Sequence, residues 1–192
     1  MTPNLYIISG CNGAGKTTAS FTLLPEILYC DTFINADEIA KGLSPFNPEK
    51  ARIAAGKIML ELLQKNVTKK VDFAFETTLA TKGLLNTVKA AKRNGYNITL
   101  LYFWLDSPEL AIQRVSSRVS QGGHDIPVDT IRRRYYSGIK NFFTIYMVEA
   151  DFWMIINNSG QISEIIAEGT GGQIDKISNI RIFDQIKSQV SK

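Results

Sequence analysis

The chain has one histidine and two cysteines in 192 residues. Cys11 and Cys30 show no metal-ligand spacing. A disulfide framework belongs to much smaller, secreted chains, so a reducing cytosol is expected. No apolar run approaches the roughly 18–20 residues that span a bilayer, so no membrane role is expected. The first strand begins too early to leave room for a secretory leader, and the expected location is cytoplasmic. Any excess of one charge sign is also small. A net +4 suits a polyanionic ligand such as ATP or a nucleotide sugar, but is too small to argue for nucleic acid. Neither Asn-Lys-x-Asp, Thr-Lys-x-Asp nor Asp-x-x-Gly occurs, which argues against a GTPase. Internal repeats and low-complexity segments are lacking too. The remaining composition, 44% apolar and 21% charged, is that of an ordinary globular domain, and 192 residues are most simply one.

What is present is concentrated near the start. The strand-like run Leu5-Tyr-Ile-Ile-Ser9 leads into Gly10-Cys-Asn-Gly-Ala-Gly-Lys16-Thr17, and a helical pattern follows from Thr18. GxxxxGK[ST] between a strand and a helix is a phosphate loop. Its glycines allow backbone N–H groups to turn inward around a phosphate near the positive end of the helix. ATP is expected to rest on Gly10, Asn12, Gly13, Ala14, Gly15, Lys16, Thr17 and Thr18. Lys16 is placed to reach the β/γ oxygens, and the Thr17 hydroxyl to ligate Mg²⁺.

Downstream, short apolar runs alternate with helical patterns, which predicts parallel βα units. Strands are expected at 32–34, 71–75, 98–105 and 152–156, with a short sixth at 161–167. Helices are expected after Asn47-Pro48, over 82–93 with Asn94-Gly95 as its stop, after Asp106-Ser107-Pro108, after Pro127, and over about 173–190. The predicted fold is an α/β P-loop NTPase: a three-layer sandwich around a mostly parallel sheet of five to six strands, with a helical lid.

Open sheets of this kind bind ligands at the carboxyl ends of their strands. Asp37 ends the second strand, 21 residues after Lys16. A carboxylate there can orient an acceptor hydroxyl and take its proton, or it can cap the short helix Glu38–Lys41. Glu76 ends the third strand, where it can meet Mg²⁺, its waters or an acceptor. Thr77 and Thr78 add hydroxyls beside it. Asp106 follows the longest apolar run, but Asp-Ser-Pro-Glu is a strong helix start, and capping is favoured for it.

The segment from Arg114 to Arg134 reads as a lid. Arg114 and Arg118 share a helix face, and Gly122-Gly123 is a flexible point before His124. An arginine over the transferring phosphoryl group is worth roughly 10³–10⁵ in rate. Ile131, Tyr135, Ile139, Phe142 and Tyr146 form a buried stripe at helical spacing, flanked by Arg132 and Arg134, with Arg133 turned to solvent. The stripe claims Tyr135 for the core, which weakens a nucleic-acid reading of the Arg132–Tyr136 run.

Together, Gly10-Cys-Asn-Gly-Ala-Gly-Lys-Thr-Thr18, Asn35-Ala-Asp-Glu38, Phe75-Glu-Thr-Thr78 and the Arg118–Arg134 lid with Gly122-Gly-His-Asp-Ile-Pro127 resemble the zeta-toxin-like P-loop kinases over residues 4–160. The resemblance implies transfer of the ATP γ-phosphate to the 3′-hydroxyl of a UDP-activated N-acetyl amino sugar. It implies Asp37 as general base, Lys16 and Arg118 as stabilisers of the moving phosphoryl group, and Glu76 in the substrate site. Thr77, His124 and Arg134 join Glu76 as substrate-side candidates. An antitoxin-like protein partner belongs to the same set of expectations.

The chain departs from that pattern in the lid. His124 stands near the place where the toxins carry a second arginine, and His124, Arg132 and Arg134 all stay open for its role. The chain is also shorter than a typical zeta toxin. A small-molecule kinase using Mg²⁺-ATP is the first expectation. A polynucleotide or nucleoside kinase, and an ATP-binding regulatory or toxin–antitoxin component without an acceptor, are the alternatives.

Overall fold

The computed structural model describes residues 2–123 and 125–191, so His124 lies outside the described residues. The apolar run at the start forms β1 (Asn4–Gly10), and α1 (Lys16–Thr22) follows the phosphate loop. A π-helical turn over Leu23–Ile27 contains Pro25, which has no N–H for a regular helical bond. β2 is only Phe33–Ile34. Asn35 then caps α2 (Ala36–Leu43), its side-chain oxygen accepting from the N–H groups of Asp37 and Glu38. α3 (Pro48–Lys69) runs 22 residues behind a proline at its first position.

β3 (Phe73–Thr77) precedes α4 (Leu85–Arg93), which starts three residues later than the sequence pattern suggests. Its stop is the expected one: Gly95 donates to Lys92 and Tyr96 to Ala91, closing the helix with Gly95 in the left-handed region. β4 (Asn97–Trp104) leads to α5 (Pro108–Ser120), capped by Ser107, whose hydroxyl accepts from the Leu110 N–H. Asp106 accepts from the Ser107 hydroxyl instead of capping. α6 (Val128–Asn141) and a second π-helical turn (Phe142–Tyr146) precede β5 (Phe152–Asn157) and β6 (Glu164–Gly169). The chain ends with β7 (Lys176–Ile177) and α7 (Ile180–Ser188).

The strands form one sheet in the order β2-β3-β1-β4-β5-β6-β7. β2 through β5 are parallel, and β6 and β7 are antiparallel additions. Among the described residues seven strands replace the expected five to six, because β7 is an exposed pair with no apolar run, inside the stretch expected to be helical. It also takes the front of the expected 173–190 helix, leaving α7 at nine residues.

The predicted stripe is buried throughout: Ile131, Tyr135, Ile139, Phe142 and Tyr146 are at most 1% exposed. Phe142 packs against Tyr102 of β4 and Trp153 of β5, which seats α6 on the sheet. Behind it, the Gln189 side-chain oxygen accepts from both Trp104 Nε1 and the Tyr135 hydroxyl at 3.1 Å. The C-terminal end thus holds the helix that carries Arg134. Among the described residues no helix is long and apolar enough to cross a membrane.

Candidate active site

The central strands bring the phosphate loop, the end of β2 and the end of β3 to one edge of the sheet, with Ile8 level with Glu76 and Ile34 level with Phe75. Gly15 sits at φ +81°, a left-handed conformation that turns the loop into α1, and the Asn158 side chain lies against it. Asn158 Nδ2 donates to the Ala14 carbonyl at 2.8 Å, while its oxygen accepts from Ser163. Arg114 adds a second brace, donating to the carbonyls of Gly13 at 3.5 Å and Ser159 at 2.9 Å. The Asn157-Asn158-Ser159 loop therefore props the phosphate loop from outside.

Lys16 is buried. Its ammonium donates to the Cys11 carbonyl at 2.9 Å and lies 3.4 Å from Glu76 Oε1. Glu76 also accepts from the Thr17 hydroxyl at 2.6 Å and from Asn35 Nδ2 at 2.8 Å. One carboxylate thus gathers the phosphate-loop lysine, the metal-candidate hydroxyl and the cap of α2. Burial pushes the Cys11 thiol up to about 11, against the pull of nearby Lys16.

Thr17 gives its proton to Glu76, so its oxygen lone pairs are free to face a cation. A hydroxyl beside a carboxylate is a hard oxygen pair of the kind Mg²⁺ takes when phosphates and water complete its shell. Among the described residues no group of three or more His, Cys, Asp or Glu could hold a metal alone. The residues fit Mg²⁺ arriving with a nucleotide.

Two hollows open at this edge. One, about 220 Å³, is lined by Asn12, Gly13, Gly15, Lys16, Thr17 and Thr18 of the phosphate loop together with Asp37, Glu76, Arg114 and Arg118. The other, about 260 Å³, is lined by Asn12, Lys16, Asn35, Asp37, Arg52, Met59, Glu76, Thr77, Thr78, Leu84 and Arg134. Asn12, Lys16, Asp37 and Glu76 line both, so the two spaces meet at those four side chains.

Because Asn35 does the capping, the exposed Asp37 carboxylate is not committed to its own helix. Thr77 and Thr78 accept from the N–H groups of Leu79 and Ala80, folding the loop after β3. α6 is fastened to that loop by Asn141, which donates to the Leu79 carbonyl, and by Tyr146, which donates to the Thr81 carbonyl through the neighbouring π-turn.

The lid arginines separate. Arg118 lines the phosphate-loop hollow from the last turn of α5. Gly122, at φ +86°, and Gly123 donate back to Val119 and Arg118, so the pair is a helix-stopping cap where a flexible point was expected. Arg134 is half-buried, donates to Asn12 Oδ1 at 3.2 Å and faces the second hollow. Burial lowers its guanidinium from the usual range, with Arg52 adding to the effect and Asp37 opposing it. Arg132 is paired with Glu109 of α5, outside both hollows.

Arg52 and the bracing role of Asn158 left no usable signal in the sequence. Arg52 lies mid-helix, three residues after Glu49, and reads as one half of a solvated pair. Arg114 was visible only as a partner of Arg118 on a shared face.

Comparison with known proteins gives the family and the fold. The sequence model of the zeta toxin family matches residues 1–168. An uncharacterized protein of Haemophilus influenzae is 32% identical over 126 residues, covering 66% of this chain and 88% of that protein. A crystal structure of AvrRxo1-ORF1:-ORF2 with ATP superposes with a TM-score of 0.75 at 14% identity. It covers 98% of this chain, which in turn spans only 64% of the AvrRxo1 chain's length. A structure from the PezAT chromosomal toxin–antitoxin system of Streptococcus pneumoniae gives 0.65 at 16% identity, over 99% of this chain and 86% of its own. At these identities the structural likeness speaks for a common fold.

Proposed function

This chain belongs to the zeta toxin family, and we propose that it is an ATP-dependent kinase acting on a hydroxyl of a small molecule, with a UDP-activated amino sugar as the first acceptor to test. The observation that carries the reading is the meeting of two hollows at Lys16, Asp37, Glu76 and Asn12. A donor phosphate chain fits the hollow rimmed by the phosphate loop, and an acceptor fits the other. The transferring group then crosses where the two join.

In this reading Asp37 accepts the proton of the acceptor hydroxyl as its oxygen bonds to the γ-phosphorus and the bond to ADP breaks. Lys16 leaves Glu76 to meet the phosphate oxygens. Arg118, at the outer rim, offsets charge on the moving group. Thr17 and Glu76 would hold Mg²⁺, which supplies charge neutralisation across the β and γ phosphates when bound. Thr77 and Arg134 line the acceptor side, and the family pattern adds His124. The PezAT structure comes from a toxin–antitoxin system and the AvrRxo1 structure pairs ORF1 with ORF2, which supports an antitoxin-like partner here as part of the proposal.

The test is ATP turnover with Mg²⁺, with UDP-N-acetylglucosamine and a panel of small hydroxyl acceptors, and products read by mass spectrometry. An acceptor heavier by one phosphate is expected from the wild type. Asp37→Ala should lower that rate by roughly 10²–10⁴, as loss of a general base does. ATP hydrolysis that ignores every acceptor and survives Asp37→Ala would refute the assignment.

A further inference from the structure

The Ala14 carbonyl stands one position before the acceptor that opens α1, whose first bond runs from the Ala19 N–H to the Gly15 carbonyl. Asn158 takes the Ala14 carbonyl instead, with Nδ2 donating at 2.8 Å. A carbonyl only accepts, so the amide nitrogen of Asn158 has to face it. The amide oxygen is held in turn by the Ser163 hydroxyl at 2.6 Å, and the Asn158 N–H donates to the Trp104 carbonyl at 2.9 Å, at the end of β4. Both ends of the side chain and its backbone are therefore fixed.

A trans peptide is planar, and its C=O and N–H point in opposite directions. The Ala14–Gly15 peptide is trans, so drawing its carbonyl toward Asn158 turns the Gly15 N–H away from Asn158. Gly15 lines the phosphate-loop hollow, whereas Asn158 lines neither hollow. Among the described residues no group accepts from the Gly15 N–H. The preceding peptide gives the contrast: Arg114 reaches the Gly13 carbonyl at 3.5 Å, but the Ala14 N–H of that peptide already donates to the Cys11 carbonyl at 3.2 Å. Of the two braces, only Asn158 acts on a peptide whose N–H is free. A Cβ on Gly15 would lie 2.5 Å from Asn158 Nδ2, so the contact also requires glycine there.

Resting on the kinase reading above, we propose that Asn158 is a positioning residue for the phosphoryl donor. By holding the Ala14 carbonyl outward it aims the Gly15 N–H at a phosphate oxygen of the nucleotide. A donor oriented beforehand loses no further freedom when the anion arrives. The loop between β5 and β6 thereby sets how tightly the phosphate chain is held, although it lines neither hollow.

Pyrophosphate in EDTA is the probe, because it carries neither base nor acceptor hydroxyl and needs no turnover. In isotope-labelled wild type, NMR should show the Gly15 amide proton moving downfield and saturating as pyrophosphate is added. Asn158→Ala should shrink that movement and weaken pyrophosphate binding about tenfold, as expected when a hydrogen bond to a charged group is lost or misaligned. Ser163→Ala should fall between, since it keeps the donor and frees the amide to turn. Tyr96→Phe is the control for general loosening. The Tyr96 hydroxyl reaches the carbonyls of Asn66 and Val71 just before β4, at the far end of the sheet. That variant should lose stability and keep wild-type pyrophosphate affinity.

A wild-type Gly15 amide that ignores pyrophosphate overturns the proposal, and this arm needs no variant to fold. Equal affinity in Asn158→Ala overturns it too, as does a loss of the same size in Tyr96→Phe. The two readings fail separately. Pyrophosphate binding without phosphorylation of any acceptor sinks the kinase reading alone. An active kinase whose Asn158→Ala variant keeps wild-type ATP and pyrophosphate affinity sinks this one alone.

Discussion

Glu76→Gln probes the centre of the site, because three donors converge on that carboxylate. Lys16 Nζ lies 3.4 Å from Glu76 Oε1, with Lys16 5% and Glu76 13% exposed. At an effective dielectric of about 20, unit charges at that distance attract by about 5 kcal/mol, before desolvation takes its share. Removing one partner of a buried pair costs about 3–5 kcal/mol. Glu76 keeps some contact with solvent, so the lower end applies. A loss of about 3 kcal/mol in a chain this long lowers the melting temperature by roughly 6–12 °C.

The same substitution should strengthen anion binding when no metal is present. In the wild type an incoming phosphate competes with Glu76 for Lys16 and is repelled by it. With the carboxylate gone, pyrophosphate in EDTA is expected to bind at least about tenfold more tightly, a gain of about 1.4 kcal/mol. Pyrophosphate should then raise the variant's melting temperature more than the wild type's at equal concentration. With Mg²⁺ present the order should reverse, since the variant lacks the carboxylate beside the Thr17 hydroxyl. Thermal unfolding and calorimetric titration, each with EDTA and with Mg²⁺, read all four quantities. An unchanged melting temperature, or weaker pyrophosphate binding in EDTA, would refute the account of Glu76 as the resting counter-ion of Lys16.

Two further perturbations test the supports of the site. Gln189→Ala leaves Trp104 Nε1, on a side chain 1% exposed, without its acceptor, while Tyr135 keeps the Leu105 carbonyl at 2.7 Å. Urea unfolding should show a loss of about 1–3 kcal/mol, and a loss below about 0.5 kcal/mol would show that water or a neighbour replaces the amide. Burial raises the Cys11 thiol from 9.0 to about 11, so the folded state keeps a proton that the unfolded chain releases first. Stability should therefore fall as pH rises from 9 to 11, by about 2–3 kcal/mol for this group. Cys11→Ala should remove that part of the slope, and an identical profile in the variant would count against the buried, protonated thiol.

The strand–loop–helix run at the start, the alternation of apolar runs with helical patterns, the glycine stop of α4 and the buried stripe of α6 all rest on contacts near in sequence. Periodicity and turn chemistry report such contacts directly, and so the α/β class and the phosphate loop were legible. The same local logic left a capping role for Asp37 open, since only the backbone shows that Asn35, two residues earlier, supplies the oxygen that meets the N–H groups. β7 was missed for a different reason: Lys176–Ile177 are exposed and lack the apolar run that marks Phe33–Ile34, and only the edge of β6 defines them as a strand.

The chain's own order of residues thus determined the fold class, the nucleotide loop and the helix faces, because each is encoded within a few turns or strands. Tertiary structure alone decided that Glu76 would face Lys16 and Thr17, that Arg134 rather than Arg132 would line the second hollow, and that Arg52 would line it with Asp37. Those meetings join residues between 15 and 122 positions apart. They depend on which strands neighbour in the sheet and how closely α2, α3 and α6 pack, and no short-range pattern records that.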